Sequence, residues 1–197
     1  MSLDWTTLSD GELATLSIAG RHAAFAEIVR RYQQPVFRLA RACVGEPDEA
    51  LDLVQETFVA AHQALSRYDG QRAMKAWLST IAINKCRDWA RKRTVRRFFS
   101  FAAPIDHRAE AVVDDQVAID DGAADRQELD RVTDAISALP MNLKEALVLR
   151  TIEGLSQAET AEVLGISQKA VETRLYRARS RLLEMLGAGQ GIGVRDA

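Results

Sequence analysis

The sequence predicts an all-α protein made of two small helical domains, which are joined by a flexible acidic linker. Apolar residues recur at helical spacing along most of the chain, and no convincing alternating segment indicates a strand. With 197 residues, of which 47% are hydrophobic, the chain can bury a core in each domain. The expected boundaries are an N-terminal lead (1–19), a first domain (20–94), the linker (95–128), a second domain (129–187) and a disordered tail (188–197).

The first domain is expected to contain three helices. Residues 22–45 carry an apolar stripe that ends at Gly45, and Pro35 allows a break or kink inside it. A second stripe follows in residues 46–68, with Leu51, Phe58 and Leu65 facing inward. The third helix is predicted from about Lys75 to Arg93.

Charge is distributed unevenly, although the net charge is only −2. Residues 85–97 contain seven Lys or Arg and one acid, whereas residues 104–128 contain eight acids and two bases. Two such blocks side by side indicate surfaces that face different partners.

The second domain contains two helix starts close together. Ser156 and Glu159 form a predicted capping box, Gly165 ends that short helix, and Ser167 can cap the next one. The second helix has a buried stripe centred on Val171 and a polar, basic face opposite it. This combination predicts a helix-turn-helix, whose second helix fits the DNA major groove.

Two stretches of the chain resemble bacterial sigma factors of the extracytoplasmic-function type. "EALDLVQETFVAAHQAL" and "KAWLSTIAINKCRDWARKR" are similar to the family's second conserved domain. "LPMNLKEALVLRTIEGLSQAETAEVLGISQKAVETRLYRARSRL" is similar to its fourth domain. The resemblance covers about residues 20–94 and 129–186 in the family's order, and it implies an alternative sigma factor that serves a stress or envelope response.

By this resemblance, one helix of the first domain binds core RNA polymerase. The residues assigned to this role form an acidic, partly apolar strip: Asp52, Gln55, Glu56, Val59 and Gln63. A strip of this kind suits the basic coiled coil that the family's helix grips.

The resemblance also assigns two sets of promoter contacts, and Asn84 matches the wedge position that props the melted strands apart. Trp77 either stacks on a base or belongs to the core. The minus-ten set is Asp69, Met74, Lys75, Trp77, Thr80, Asn84, Arg87, Asp88, Arg91 and Lys92. The minus-thirty-five set is Lys169, Glu172, Thr173, Arg174, Tyr176, Arg177 and Arg179.

Core polymerase, promoter DNA and an anti-sigma factor are therefore the expected partners, with no small-molecule substrate and no membrane insertion. The acidic linker either enters the basic channels of the polymerase or only solubilises the chain. Two alternatives stay open: a sigma-like adaptor that binds an anti-sigma factor, and a one-component helix-turn-helix regulator.

We expect no enzymatic activity, no cofactor and no metal, because the three histidines lie apart and no nucleophile or phosphate-binding motif is present. Cys43 and Cys86 fit no metal spacing and are expected to be buried, reduced thiols. The sequence has neither a signal peptide nor an apolar run long enough to cross a bilayer, so a cytoplasmic location is expected.

Overall fold

The computed structural model describes residues 4–101 and 123–187, with side chains for residues 4–96 and 131–187. All regular elements within these ranges are helical, which confirms the all-α prediction. The α-helices are α1 (Asp10–Ile18), α2 (His22–Val44), α3 (Pro47–Ala64), α4 (Met74–Phe101), α5 (Ala123–Ala138), α6 (Met141–Leu147), α7 (Gln157–Leu164) and α8 (Gln168–Gly187). The disordered tail and most of the linker, as predicted from the sequence, lie outside the described residues.

Helices α2, α3 and α4 pack together around an apolar core. Ile28 and Leu39 of α2 are fully buried there, as the stripe predicted, together with Ile83 of α4, and Phe58 of α3 is 7% exposed. The inward direction predicted for Leu51 is wrong, because this side chain is 50% exposed. Helix α3 turns its Ala50–Leu53–Thr57–Ala61 face to the core, and Leu51 lies about 100° away from that face.

Helix α2 runs without interruption through Pro35, so the possible break at this residue does not occur. A proline inside a helix costs roughly 3 kcal/mol or more. Ile28, Val36 and Leu39 are all buried on both sides of it, and each contributes about 1.5–3 kcal/mol through burial. Packing of both halves of α2 against one core therefore keeps the helix continuous.

Helix α4 is longer than the sequence predicted, because it continues from Arg93 to Phe101. Helix α5 begins at Ala123, before the expected resumption at Leu129. The segment between the two helices is therefore shorter than the linker predicted at residues 95–128. An apolar stripe appears in a sequence where one face of a helix is buried. Residues 91–96, at the charged end of α4, are exposed. The sequence therefore shows no stripe there, although the segment is helical.

The Arg31 guanidinium joins the N-terminal segment to α2. It forms ion pairs with Glu27 and Asp10 at 2.8 and 3.1 Å, and its Nη2 also donates to the carbonyl oxygens of Trp5, Thr6 and Leu8. Hydrogen bonds from Arg30 and Arg31 lower the pKa of Glu27 to about 2. This carboxylate therefore stabilises the fold above its ordinary pKa near 4.5, and the contribution is lost as the pH falls towards 2.

We expect Arg31→Met to lower the free energy of unfolding by about 2 kcal/mol, because several hydrogen bonds of a charged group are lost together. Thermal unfolding followed by circular dichroism measures the change. Arg30→Met is the matched control, since the Arg30 side chain is 61% exposed and pairs only with Glu27 among the described ion pairs. Equal losses in the two variants would contradict the role given to Arg31.

The helix-turn-helix predicted in the second domain is present as α7 and α8. Ser156 accepts from Glu159 N at 3.1 Å, and the Glu159 carboxylate accepts from Ser156 N at 2.7 Å. Gly165 ends α7 in the left-handed conformation with φ 65°, and Ser167 Oγ caps α8 at 3.1 Å. Val171 and Ala178 of α8 are fully buried, as the stripe predicted.

The two domains pack against each other. Val148 and Leu149, in a π-helical turn at Val148–Ile152, belong to the same buried cluster as the residues of α2, α3 and α4. Helix α4 contacts α7, and α2 contacts α5 and α6. The main apolar core therefore runs through both halves of the described chain, and a smaller buried cluster in the second half consists of Leu139, Leu143, Leu147 and Ala178.

Both cysteines are buried free thiols, as predicted. Cys43 lies on α2 and Cys86 on α4, inside the shared core. The hydrogen bond with Cys43 and burial raise the pKa of the Cys86 thiol well above its usual range, so it stays protonated at neutral pH.

Candidate functional site

The five residues of the predicted polymerase strip all lie on the exposed face of α3. They line a shallow depression of about 400 Å³ with Ala60 of the same helix and Lys85 of α4. The Lys85 ammonium lies 3.2 Å from the Glu56 carboxylate. Leu51 and Val59 are 50% and 58% exposed on α3, so the surface combines carboxylates with apolar side chains.

Helix α4 carries most of the predicted minus-ten residues, and one group of them faces solvent. Asn84, Asp88, Arg91 and Lys92 are exposed, and Thr80 is half-buried. Arg91 Nη2 donates to Asp88 at 2.7 Å, which orients both side chains along the helix surface. Asp69 lies in the preceding loop, where its carboxylate accepts from Gln71 N at 2.9 Å.

Two residues of the minus-ten set lie in or against the core. Met74 is 1% exposed, so its side chain is not on a surface that DNA can reach in this structure. Trp77 is half-buried and packs against Tyr68, with ring centroids 5.1 Å apart. The structure therefore favours the core role over base stacking for Trp77.

Lys75 and Arg87, also of the minus-ten set, face the C-terminal half of the chain. Arg87 donates through Nε and Nη2 to the two carboxylate oxygens of Glu145, each at 2.7 Å. Lys75 Nζ lies 3.1 Å from the Glu153 carboxylate. Arg72, next to these residues in the loop before α4, pairs with Glu162 of α7.

Two buried charges of α6 had no role in the sequence-based prediction. Lys144 and Glu145 are 5% and 2% exposed. Lys144 Nζ donates to Cys43 O at 2.9 Å, at the end of α2, and to Ser137 O at 2.5 Å. Burial lowers the pKa of Lys144, whereas the hydrogen bond with Glu145 raises the pKa of Arg87. All residues from Leu143 to Leu149 are buried. The two adjacent charged residues within this run, Lys144 and Glu145, were therefore the available sequence signal for buried charges.

The Glu153 carboxylate is the least well satisfied of these groups. Its side chain is 1% exposed, with Lys75 at 3.1 Å and Arg38 at 3.5 Å. Neither carboxylate oxygen accepts an aligned hydrogen bond within the described part of the chain. Both basic residues belong to the N-terminal half, so this buried charge depends on the contact between the halves.

Helix α8 presents the predicted minus-thirty-five residues on its surface. Arg174 is half-buried, whereas Tyr176 is 73% exposed. Lys169 pairs with Glu172 at 2.8 Å, and Thr173 Oγ1 donates to Lys169 O. The exposed members of the set are Lys169, Glu172, Thr173, Tyr176, Arg177 and Arg179. Polar donors and acceptors therefore cover the face opposite Val171, and this arrangement can contact base edges and phosphates.

Residues 4–101 and 123–187 contain no cluster of three or more side chains suited to bind a metal ion. No helix in these ranges is both long and apolar enough to cross a membrane.

Two protein-family models match separate parts of the chain. Sigma-70 region 2 matches residues 28–96, which hold most of α2, all of α3 and most of α4. Sigma-70 region 4 matches residues 129–182, which include the helix-turn-helix.

Curated relatives match along almost the whole chain. The RNA polymerase sigma factor CnrH of Cupriavidus metallidurans is 38% identical over 182 residues, covering 91% of this chain and 95% of the relative. The ECF RNA polymerase sigma factor SigM of Mycobacterium tuberculosis is 29% identical over 188 residues, covering 95% and 90%.

Two solved structures share the fold, each with a TM-score of 0.67. CnrH in complex with the cytosolic domain of CnrY is 35% identical and covers 91% of this chain and 97% of the CnrH chain. The sigma factor RpoE of Bartonella quintana, crystallised with the anti-sigma factor NepR, is 26% identical and covers 84% and 98%.

Proposed function

The chain belongs to the extracytoplasmic-function group of sigma-70 RNA polymerase sigma factors, and we propose from this premise that it binds core polymerase through α3 and reads promoter DNA through α4 and α8. The family consists of transcription regulators rather than enzymes. One observation supports the proposal above the others: both matched regions carry the expected recognition chemistry on exposed helix faces. These faces are the acidic and apolar strip of α3 and the polar, basic face of α8.

Each region is proposed to have its own task. Residues 20–94 form the unit that docks on polymerase and opens the minus-ten element, and residues 129–187 form the unit that binds the minus-thirty-five element. Exposed Arg91 and Lys92 of α4 are positioned to hold backbone phosphates near the melted strand. Asn84, also exposed on α4, has an amide that can hydrogen-bond the edge of an unstacked base.

An anti-sigma factor is the proposed regulator of this activity. Two relatives of the same fold were solved with partners, CnrH with CnrY and RpoE with the anti-sigma factor NepR. Release from such a protein in response to stress would free the sigma factor for polymerase.

Run-off transcription tests the proposed function. The purified chain is added to core polymerase with a library of promoter fragments, and we expect discrete transcripts that core polymerase alone does not make. A one-component regulator would bind duplex DNA without polymerase and start no transcripts. An adaptor would bind an anti-sigma factor and leave the polymerase inactive, so either result would contradict the proposal.

Asn84→Ala is expected to slow strand opening about tenfold, while closed-complex formation stays nearly unchanged. Loss of the amide removes about 1.4 kcal/mol of stabilisation from the transition state for melting. Permanganate reactivity of unpaired thymines follows the opening. Gln34→Ala, which removes an exposed amide from α2, is the matched control.

A premelted template should restore the Asn84→Ala protein to full activity, because the missing contact acts only while the strands separate. Unchanged permanganate reactivity on a duplex promoter would remove Asn84 from this role.

A further inference from the structure

We propose that helix α1 positions the loop before α4, and that Gly11 of α1 thereby helps to set which base the protein accepts at the minus-ten element. This minus-ten loop consists of residues 69–73 and contains Asp69 of the predicted minus-ten set. The inference rests on the proposed function, because it takes the loop as part of the promoter-binding surface. The match to sigma-70 region 2 begins at residue 28, so α1 lies outside it.

Two glycine backbones meet where α1 contacts the minus-ten loop. A Cβ atom on Gly11 would lie 3.5 Å from the carbonyl oxygen of Gly70 and 3.7 Å from its Cα. A Cβ atom on Gly70 would lie 3.6 Å from the Cα of Gly11. Neither glycine has a positive φ, so the close approach distinguishes them rather than a special backbone conformation. A methyl group fits at this distance, whereas a side chain branched at Cβ competes with the loop for space.

Helix α1 is fixed on its other side, so it can support the loop. Leu13 and Ala14 of α1 are 0% and 4% exposed. The Asp10 carboxylate, in the first turn, accepts from the Tyr32 hydroxyl at 2.5 Å and from Arg31 Nη1 at 3.1 Å. These bonds tie the start of α1 to α2. A branched side chain at position 11 therefore displaces the loop rather than the helix.

Hydrogen bonds within the minus-ten loop connect Gly70 to the functional side chain beside it. Asp69 Oδ1 accepts from Gln71 N, and Asp69 O accepts from Arg72 N, each at 2.9 Å. The Tyr68 hydroxyl donates to Arg72 O at 2.6 Å, which closes the turn. A shift of Gly70 is therefore passed on to the Asp69 carboxylate.

The loop is open to a nucleic acid on the side away from α1. Residues 69–73 are all exposed. A carboxylate accepts hydrogen bonds from the amino groups of base edges. Such bonds weaken steeply with distance and angle, so a displacement of about 1 Å is enough to lose one. The position of the loop against α1 therefore controls how well bases are distinguished.

Selection of a randomised minus-ten element by the reconstituted holoenzyme tests this role. Gly11→Ile should lower the preference at one minus-ten position about tenfold, because a base-directed hydrogen bond is lost. The selected minus-thirty-five sequence should stay the same. Gly11→Ala should keep the original preference, because its Cβ fits against Gly70. An unchanged preference in a folded Gly11→Ile protein would overturn the proposal.

Gly187→Ile is the matched control for Gly11→Ile. It makes the same exchange at a glycine of α8, where an added Cβ meets nothing within 4 Å. This protein should select the same minus-ten sequence as the unaltered chain. An equal loss of preference in the two isoleucine variants would overturn the role of the contact between α1 and the loop.

A double-mutant cycle with Asp69 separates positioning from a general loss of stability. Asp69→Ala should relax the same minus-ten position, and adding Gly11→Ile should relax it no further, because both changes remove one contact. Polymerase affinity should be equal in all of these proteins, since the strip on α3 is unaltered. Additive losses of preference would overturn the proposal.

Tyr32→Phe covers the case in which Gly11→Ile folds poorly. It removes only the hydroxyl that donates to Asp10, so α1 loses one of its ties to α2. We expect a smaller loss of preference at the same minus-ten position, and no loss there would overturn the proposal. Run-off transcription by the unaltered chain reports separately on the proposed function.

Discussion

We expect the Asp52→Arg/Glu56→Arg protein to lose all measurable association with core polymerase, the largest effect predicted for this chain. Both carboxylates are exposed on α3, where they line the depression together with Gln55, Val59 and Gln63. Reversing two charges at the centre of the strip places like charges across the proposed interface, which costs several kcal/mol. The ion pair between Glu56 and Lys85 also becomes a repulsion on the same surface.

Co-purification with core enzyme and a binding titration at moderate salt measure this loss. The fold should survive, because neither side chain belongs to the core. Asp134→Arg/Glu184→Arg is the control, since it reverses two exposed carboxylates outside the strip and changes the net charge equally. Normal affinity of the Asp52→Arg/Glu56→Arg protein would remove α3 from the polymerase interface.

Arg177→Ala and Arg174→Ala are expected to damage promoter binding in different ways. Arg177 is exposed on the face of α8 opposite Val171, whereas Arg174 is half-buried beside the apolar stripe. Loss of a base contact by Arg177 should cost about 1–3 kcal/mol and relax the preference at one or two positions. Loss of a phosphate contact by Arg174 should weaken all sequences alike and reduce the salt slope by about one.

The measurement is selection of a randomised minus-thirty-five element by the reconstituted holoenzyme, with the minus-ten element held constant and at two salt concentrations. Gln168→Ala, at the start of the same helix, controls for effects of truncation. If both arginine variants lower affinity uniformly with no change in the preferred sequence, α8 does not read bases as proposed.

Local features of the chain were predictable because their signals lie within a few residues. The capping box of Ser156 and Glu159, the left-handed Gly165 and the buried Val171 each follow from short-range stereochemistry. The direction predicted for Leu51 was wrong because an apolar residue at the edge of a buried face fits helical spacing as well as its buried neighbours do.

The ion pairs between the two halves were not predictable, because their partners are far apart in the sequence. Arg87 and Glu145 are separated by 58 residues, and Lys75 and Glu153 by 78. A single sequence gives each of these side chains a plausible role on a solvent-exposed face. Only the packing of the two domains against each other shows which basic side chains form ion pairs and which, such as Arg177, remain exposed.

The length of chain between the end of α4 at Phe101 and the start of α5 at Ala123 limits how far the two halves of the protein can move apart. The chain rises at most about 3.3–3.6 Å per residue, so this tether extends no farther than roughly 75 Å. Joining the two ends by a connection of at most this length gives them an effective concentration on the order of millimolar. Free acids at lower concentration therefore compete poorly with Glu145 for Arg87. At about 3.4 Å per base pair, the same reach exceeds 20 base pairs. The tether therefore does not fix the spacing of the two promoter elements, which is set by the polymerase that carries both domains.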